Sequence, residues 1–526
     1  MRKPSSLVLV ALLLGFLCEA AAQQAAPPQG QVSESLDAYV SRVMTTFEVP
    51  GVSLAVVKDG KVVVAKGYGV RRLGDSTPVD SQTLFGIASN TKVFTAVALG
   101  LLVDEGKIRW DAPVITYLPW FRMSDPYVTR ELTVRDLLVH RSGLGLGAGD
   151  LLWWPPSTYT RREIAQRLKD VPLATSFRSA YAYDNVLYLI AGELIETISG
   201  QSWEDFVTTR ILKKVGMSSS TPRQSDALKS NNVAATHAPV NGKVVVVKPL
   251  DSDNTNPAGG ISSNAEDMAK WMSVLLSGGQ LADGSRLFSE QVYRDLTALV
   301  TPMPLPSNTT PELAPIRPNF RGYGLGLNVV DLRGRKTLMH TGGLPGYVSK
   351  VLWIPAAGLG VTVLTNQEAG GAFEAIVYRV VDQYLGLPPT DWAAAFRKLA
   401  DAQEASFAAT EKKAVSARAE SPRPPRPISA YACVFNDAWY GEIVVERVKN
   451  RLAMTFTKTP SLVGDLEHWQ DDTWIVRWHD RELRADAYVT YAFNPDGTID
   501  QVKMRAVSPA TDFSFDFHDL LLKPKK

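Results

Sequence analysis

The spacing of apolar and polar residues changes character several times along the chain, and each change predicts a different element. A helix is expected around Ser35–Thr46. The stretch "GVSLAVVKDGKVVVAKGYGV" (51–70) holds two β-rich runs around Asp59-Gly60, which predicts a hairpin. From about Thr91 to Leu296 the apolar positions recur with helical spacing, interrupted by Gly- and Pro-rich loops. Strand patterns return at 321–331, 336–343, 347–355 and 360–366. Strand groups on either side of a large helical insert predict one antiparallel sheet assembled from both ends of that region. Between them, 301–318 carries Pro302, Pro304, Pro306, Pro311, Pro315 and Pro318, so no regular element is expected there.

An Ala/Glu/Lys/Arg-rich helix is predicted from Trp392 to Glu420, and "SPRPPRP" (421–427) stops it as a linker would. Beyond Ile428 the pattern becomes short alternating runs: "YACVFN", "GEIVVERV", "RLAMTF", "TWIVRW", "AYVTYAFN", "QVKMRAV" and "FSFDF". Runs of this spacing predict a small antiparallel barrel or sandwich. The expected organisation is therefore a mixed α/β domain of the α+β type over 34–388, a helix and Pro-rich linker over 392–427, and an all-β domain over 428–526.

Composition narrows the function classes. A chain of 526 residues is long enough for two or three domains, and 45% hydrophobic with 21% charged residues suits a folded, water-soluble chain. A net charge of +2 gives no basic surface for a nucleic-acid partner. The N-terminus places Arg2 and Lys3 before an apolar run from Leu7 to Leu17 and the small residues Ala20–Ala22. That order predicts a signal peptide over 1–22 and an exported protein, periplasmic or extracellular. No stretch is long and apolar enough for a membrane span. Cys18 and Cys433 are the only cysteines, so the mature chain keeps one and has no internal disulfide. No metal-ligand spacing occurs, and neither metal nor cofactor is expected.

Three short constellations could carry chemistry. In "FGIASNTKVFTAVAL" (85–99), Ser89 precedes Lys92 by three residues at the start of an apolar helix. Residues three apart share a helical face, so Lys92 can reach the Ser89 hydroxyl, and burial would ease its deprotonation. The alternative is a helix-capping serine followed by an ordinary lysine. In "FRSAYAYDNVLYLIAGELIETISG" (177–200), Tyr183 and Asn185 lead into another helix, as a phenol and an amide for catalysis or as packing and capping residues. A phenolate at Tyr183, stabilised beside Lys92, is one candidate base. In "LMHTGGLPGYV" (338–348), His340-Thr341-Gly342 ends a strand and Gly342-Gly343 leaves room for a substrate, or serves only a turn. The tryptophans of "LLWWPPSTY" (151–159) could line a cleft or pack beneath a loop. No G-x-S-x-G elbow and no phosphate-binding loop accompanies them.

Taken together and in this order, S-x-x-K, Y-x-N and H-x-G resemble the serine β-lactamase and penicillin-binding-protein superfamily, in its class C-like branch of peptidase family S12 type. The stretches "LTVRDLLVHRSGL", "NPAGGISSNAEDMAKWM", "GYGLGL" and "VTVLTN" fit that branch, and the likeness covers about 34–388. The C-terminal segment is similar to the lipocalin-like barrel that accompanies some of these hydrolases. The resemblance implies a β-lactamase/transpeptidase-like antiparallel sheet with a large helical subdomain. It also implies a nucleophile at Ser89, proton transfer by Lys92 and Tyr183, and substrate contacts from Asn185, His340, Thr341, Gly342 and Gly343. The backbone N–H groups of Ser89 and Gly343 would form the oxyanion hole. Many β-lactamases of this superfamily carry lysine where His340 stands. Its replacement by a mostly uncharged side chain favours peptide, amide or ester hydrolysis of the DD-carboxypeptidase, D-aminopeptidase or esterase type. The implied partners are small substrates of those kinds, peptidoglycan fragments and β-lactams among them. A class C-like β-lactamase and a penicillin-binding receptor with little turnover are the competing readings.

Overall fold

The computed structural model describes residues 34–306, 310–418 and 425–525. The expected signal peptide and most of the "SPRPPRP" linker lie outside the described residues. Helix α1 (Leu36–Thr46), capped by Ser35, leads into β1 (Gly51–Lys58) and β2 (Lys61–Gly69), the hairpin expected at Asp59-Gly60. The helical insert then contributes α2 (Thr91–Asp104), α3 (Val186–Ser199) and α4 (Ala265–Leu276). The chain returns through β3 (Thr301–Pro302), β4 (Arg321–Tyr323), β5 (Asn328–Leu332), β6 (Arg335–Leu344), β7 (Tyr347–Ile354) and β8 (Leu359–Thr365). All eight strands form one sheet in the order β2-β1-β8-β7-β6-β5-β4-β3, with N-terminal β1 paired antiparallel to β8.

The pleat explains why this sheet needs both flanks. Along β1, Val52, Leu54 and Val56 pack with α1 and with the helix α5 (Gly370–Leu385), whereas Ala55 and Val57 join the core beneath the helical insert. A strand buried on both faces reads as a continuous apolar run, which "GVSLAVV" is. Helix α2 is buried from Thr91 through Leu102, and its sequence is accordingly apolar all round. Each face of the sheet is thus covered by helices, and the start of α2 lies against the β6–β7 region.

Two expectations for this region need correction. Within 301–318, Thr301–Pro302 is an edge strand paired with Tyr323 and Gly322, and Pro311–Ile316 forms a 3₁₀ helix. Proline is compatible with both places, because an edge strand needs donors on one side only and a first helical turn leaves its N–H groups unpaired. The insert is also not wholly helical: His237–Val240 and Lys243–Val246 form a small hairpin.

Helix α6 (Trp392–Ser416) follows α5 and packs on it through Trp392 and Phe396. The C-terminal strands are β9 (Cys433–Asp437), β10 (Gly441–Val448), β11 (Arg451–Phe456), β12 (Val463–Gln470), β13 (Thr473–Trp478), β14 (Ala487–Phe493), β15 (Ile499–Ala506) and β16 (Lys523–Pro524). Their order is β15-β14-β13-β12-β11-β10-β9-β16, and a bridge from Val502 to Leu522 joins the two ends into a barrel. β12 is additional to the runs recognised in the sequence. "FSFDF", by contrast, is no strand despite its alternation. It is a looped segment that turns Ser514 and Asp516 toward the first domain, where both are buried. The apolar core is continuous between the barrel and the helical insert. Arg167 donates to the Trp439 carbonyl at 2.8 Å, the Tyr159 hydroxyl donates to the Tyr440 carbonyl, and Arg484 pairs with Glu368 at 2.7 Å across the same boundary.

Candidate active site

Ser89 occupies a short 3₁₀ turn, Ala88–Asn90, between the two-residue strand Phe85–Gly86 and α2. Ala88 has φ +50°, a left-handed conformation that a residue with a Cβ seldom adopts without support. The support is visible. Asn90 donates to Ser349 Oγ at 2.8 Å, Ser349 donates to the Ile87 carbonyl at 2.8 Å, and Ile87 N–H donates to the Ile261 carbonyl at 2.9 Å. Gly342 lets β6 pass closely beneath this turn. A Cβ there would lie 2.4 Å from the Ile87 carbonyl oxygen and 2.8 Å from Ala88 Cβ. Neither Ser89 nor Asn90 spends its side chain on capping α2.

The Ser89 hydroxyl instead meets two titratable groups. Lys92 Nζ lies 3.0 Å from Ser89 Oγ, and the Tyr183 hydroxyl donates to the same oxygen at 2.8 Å. Lys92 is buried, and its ammonium has three acceptors: Ser89 Oγ, Asn185 Oδ1 at 2.7 Å and the Ala258 carbonyl at 3.0 Å. Burial pulls its pKa down to about 7, although the carboxylates of Asp150 and Asp184 act in the opposite direction. Burial pushes the Tyr183 phenol well above its ordinary range, outweighing its bond to Ser89. A Tyr183 phenolate is therefore not the form this site favours. The amine of Lys92 can lose its proton near neutrality, and the phenol remains a proton donor.

Asn185 directly precedes α3 but makes no side-chain cap. Its amide is used at both ends: Oδ1 accepts from Lys92, and Nδ2 donates to Asp150 Oδ2 at 2.8 Å. His340 lies on β6. Its Nδ1 faces the Thr341 carbonyl at 2.5 Å, so that nitrogen carries the hydrogen, and Nε2 accepts from the Tyr323 hydroxyl at 2.7 Å. Burial lowers the His340 pKa to about 3, so the ring is neutral. Both ring nitrogens are thus occupied within the protein, and His340 presents an uncharged wall. Thr341 and Gly343 are exposed beside it, and a Cβ at Gly343 would meet nothing within 4 Å.

These side chains surround a cavity of about 330 Å³. Ser89, Tyr183, Asn185, His340, Thr341 and Gly343 line it, while Lys92 bonds to Ser89 and Asn185 from behind and Gly342 packs against the Ser89 turn. Trp153 and Trp154 contribute to one wall, so the tryptophan pair of 151–159 does reach the cleft. Asp512, Phe513 and Ser514 of the C-terminal domain form another part. Asp512 is an acidic group on the lining, its pKa raised by burial, and no lysine or arginine side chain lines the cavity with it among the described residues.

A family model described as Beta-lactamase matches residues 36–385. The chain belongs to the β-lactamase family. It is a serine hydrolase of that family, with mixed helix and sheet followed by an antiparallel barrel. A second model, described as a domain of unknown function (DUF3471), matches 417–524. The chain is similar to the unguisins hydrolase of Aspergillus violaceofuscus, 28% identical over 467 residues covering 82% of this chain and 81% of the relative. It resembles the solved octameric penicillin-binding protein homologue of Pyrococcus abyssi with TM-score 0.58 and 20% identity, covering 93% of this chain and 99% of that one. It also resembles a D-stereospecific amidohydrolase of Streptomyces sp. with TM-score 0.50 and 24% identity, covering 63% of this chain and 94% of that one.

Four contributors to the site carry no recognisable signal of their own in the sequence. The Ala258 carbonyl is a backbone group, carried by the noted stretch "NPAGGISS" but with no side-chain signal. Asp150 looked like one acid among many. Phe513 and Ser514 come from the other end of the chain, and nothing local ties them to Ser89.

Proposed function

We propose that this β-lactamase-family enzyme is exported and cleaves amide or ester bonds of small peptide-like substrates through an acyl-enzyme on Ser89. The observation that carries the reading is the Ser89 hydroxyl held within 3.0 Å of a buried amine and 2.8 Å of a buried phenol at a cavity wall. Neutral Lys92 takes the Ser89 proton as Oγ bonds to the substrate carbonyl carbon. The carbonyl oxygen gains negative charge, which the Ser89 and Gly343 N–H groups receive. The carbon–nitrogen or carbon–oxygen bond then breaks, and the leaving group takes a proton through the Tyr183 phenol and Lys92. Water releases the acyl group by the reverse sequence.

Charge in the cavity favours amide and ester substrates that lack a carboxylate near the scissile bond. Neutral His340 supplies no cation, and Asp512 in its ionised form would repel a substrate carboxylate while attracting an amine. Esters and D-amino-acid amides are therefore preferred over β-lactams and over peptides recognised by their C-terminal carboxylate. The relatives named as a hydrolase of unguisins and as a D-stereospecific amidohydrolase support hydrolysis of this kind. Export rests on the residue order of 1–22.

The test is a comparison of kcat/KM on three chromogenic substrates: a p-nitrophenyl ester, a D-amino-acid p-nitroanilide with a free amine, and a penicillin. Turnover of the first two above the third is expected. Preferential turnover of the penicillin would replace this reading with a β-lactamase.

A further inference from the structure

We propose that Ser514, contributed by the C-terminal domain, is a positioning residue of the catalytic site, acting through Asp150 and Asn185 on Lys92. The proposal rests on the reading of Ser89 as the nucleophile and Lys92 as its base.

The side chain of Asn185 must present oxygen, not nitrogen, to Lys92, yet its two ends are nearly equal in shape. What fixes the choice is the partner on the other end. Burial raises the Asp150 carboxyl to about 7, and in its ionised form Oδ2 only accepts, receiving Asn185 Nδ2 at 2.8 Å. A rotated amide would set two acceptors against each other at Asp150 and two donors against each other at Lys92. Asp150 is itself fixed by two more donors, Ser514 Oγ onto Oδ2 at 2.9 Å and Trp153 Nε1 onto Oδ1 at 2.9 Å. All four side chains of the path Ser514–Asp150–Asn185–Lys92 are buried.

The backbone is fixed from the same side. Asp516, two residues beyond Ser514, accepts from Gly149 N–H at 2.7 Å and from Leu151 N–H at 3.0 Å, on either side of Asp150. Phe513 packs edge-on to the Tyr183 ring, with centroids 6.0 Å apart. The segment 513–516 therefore meets the site at the phenol, at the carboxylate and at the loop that carries the carboxylate. Its sequence alternates aromatic and polar residues because the aromatic side chains serve apolar contacts while Ser514 and Asp516 face the loop 147–151.

The experiment follows the burst of p-nitrophenol release from p-nitrophenyl acetate with the full-length chain, giving an acylation rate and an apparent substrate affinity. A burst that survives Ser89→Ala overturns the nucleophile reading, and this proposal with it, before Ser514 is touched. Given loss of the burst in Ser89→Ala, Ser514→Ala is expected to slow acylation about tenfold with substrate affinity little changed. Ser514→Thr, which keeps the hydroxyl, is expected to recover most of that rate. In the Asp150→Asn background, Ser514→Ala is expected to change the rate by no more than about twofold, because the partner it acts through has been altered. Unchanged acylation in Ser514→Ala, equal loss in Ser514→Thr, or additive losses with Asp150→Asn would each overturn the proposal. Should Ser514→Ala lack a cooperative melt, Ser514→Cys takes its place, keeping the volume while weakening the donor.

Discussion

At the scale of single residues the site is a problem in proton location. Burial lowers Lys92 to about 7, so the fraction of neutral amine rises as pH rises through that value. With Lys92 as base, kcat/KM for an ester should increase tenfold per pH unit below about 7 and level off above it. Lys92→Met should lose about 10²–10⁴ in acylation rate while the protein still melts cooperatively. A flat profile from pH 5 to 8 in the unmodified enzyme would remove Lys92 from the role. Tyr183→Phe should be milder, since in the proposed mechanism the amine is the acceptor and the phenol only passes a proton on. His340 leads to a different pH effect. Unfolded, it binds a proton near its ordinary value of 6.5; folded, it does so only at about 3. The unfolded state therefore binds more protons in between, so stability falls as pH drops from about 6.5 toward 3. Buried His140, held well below its ordinary value by burial, adds to the same slope. Asp150 and Asp184, which burial raises to about 7, act in the opposite direction over this range, so the His340 contribution is read as the difference between the unmodified protein and His340→Asn in denaturant titrations at pH 7 and pH 5.

At the scale of elements, the two glycines of "HTGG" differ. Gly342→Ala would drive a methyl group into the Ile87 carbonyl and Ala88, separating β6 from the Ser89 turn. It should cost about 1–3 kcal/mol of stability, and acylation should fall with it. Gly343→Ala meets no protein atom within 4 Å and should leave the melting temperature near that of the unmodified protein. Its methyl group stands in the cavity, so the expected effect is a raised KM. Thermal melts and steady-state kinetics on the pair separate the roles. The sequence reveals much at this scale. The apolar run of β1, the alternating runs of the barrel and the mostly apolar α2 follow from burial on both faces, on one face or all round, and each has its own period. Short elements are less legible. The edge strand Thr301–Pro302 has two residues, too few for a period, and "FSFDF" alternates for a reason other than strand pairing. In each case a distant partner decides the conformation.

At the scale of the whole molecule, the candidate site is assembled from segments that are remote in sequence. Ser89 lies in the turn before α2 and Lys92 in its first turn, Tyr183 and Asn185 lead into α3, His340 lies on β6, and Ser514 and Asp516 belong to the C-terminal domain. The first three groups were legible because each carries a local motif at fixed spacing. Asp150 and the 513–516 segment were not, because their meaning depends on a contact between domains. That contact is also a source of stability. Asp516→Ala would leave the buried N–H groups of Gly149 and Leu151 without an acceptor, at a cost of about 2–4 kcal/mol. A lowered melting temperature accompanied by slower acylation is expected. Unchanged acylation in a destabilised variant would show that the barrel supports the fold but not the site.

The central claim is that Ser89 is the residue acylated. The most direct test is intact-mass measurement of the purified protein quenched with acid during turnover of a p-nitrophenyl ester, followed by peptide mapping. A single acyl increment on the peptide containing Ser89, absent from Ser89→Ala, is the predicted result. An increment that persists in Ser89→Ala, or maps to another peptide, would contradict the account.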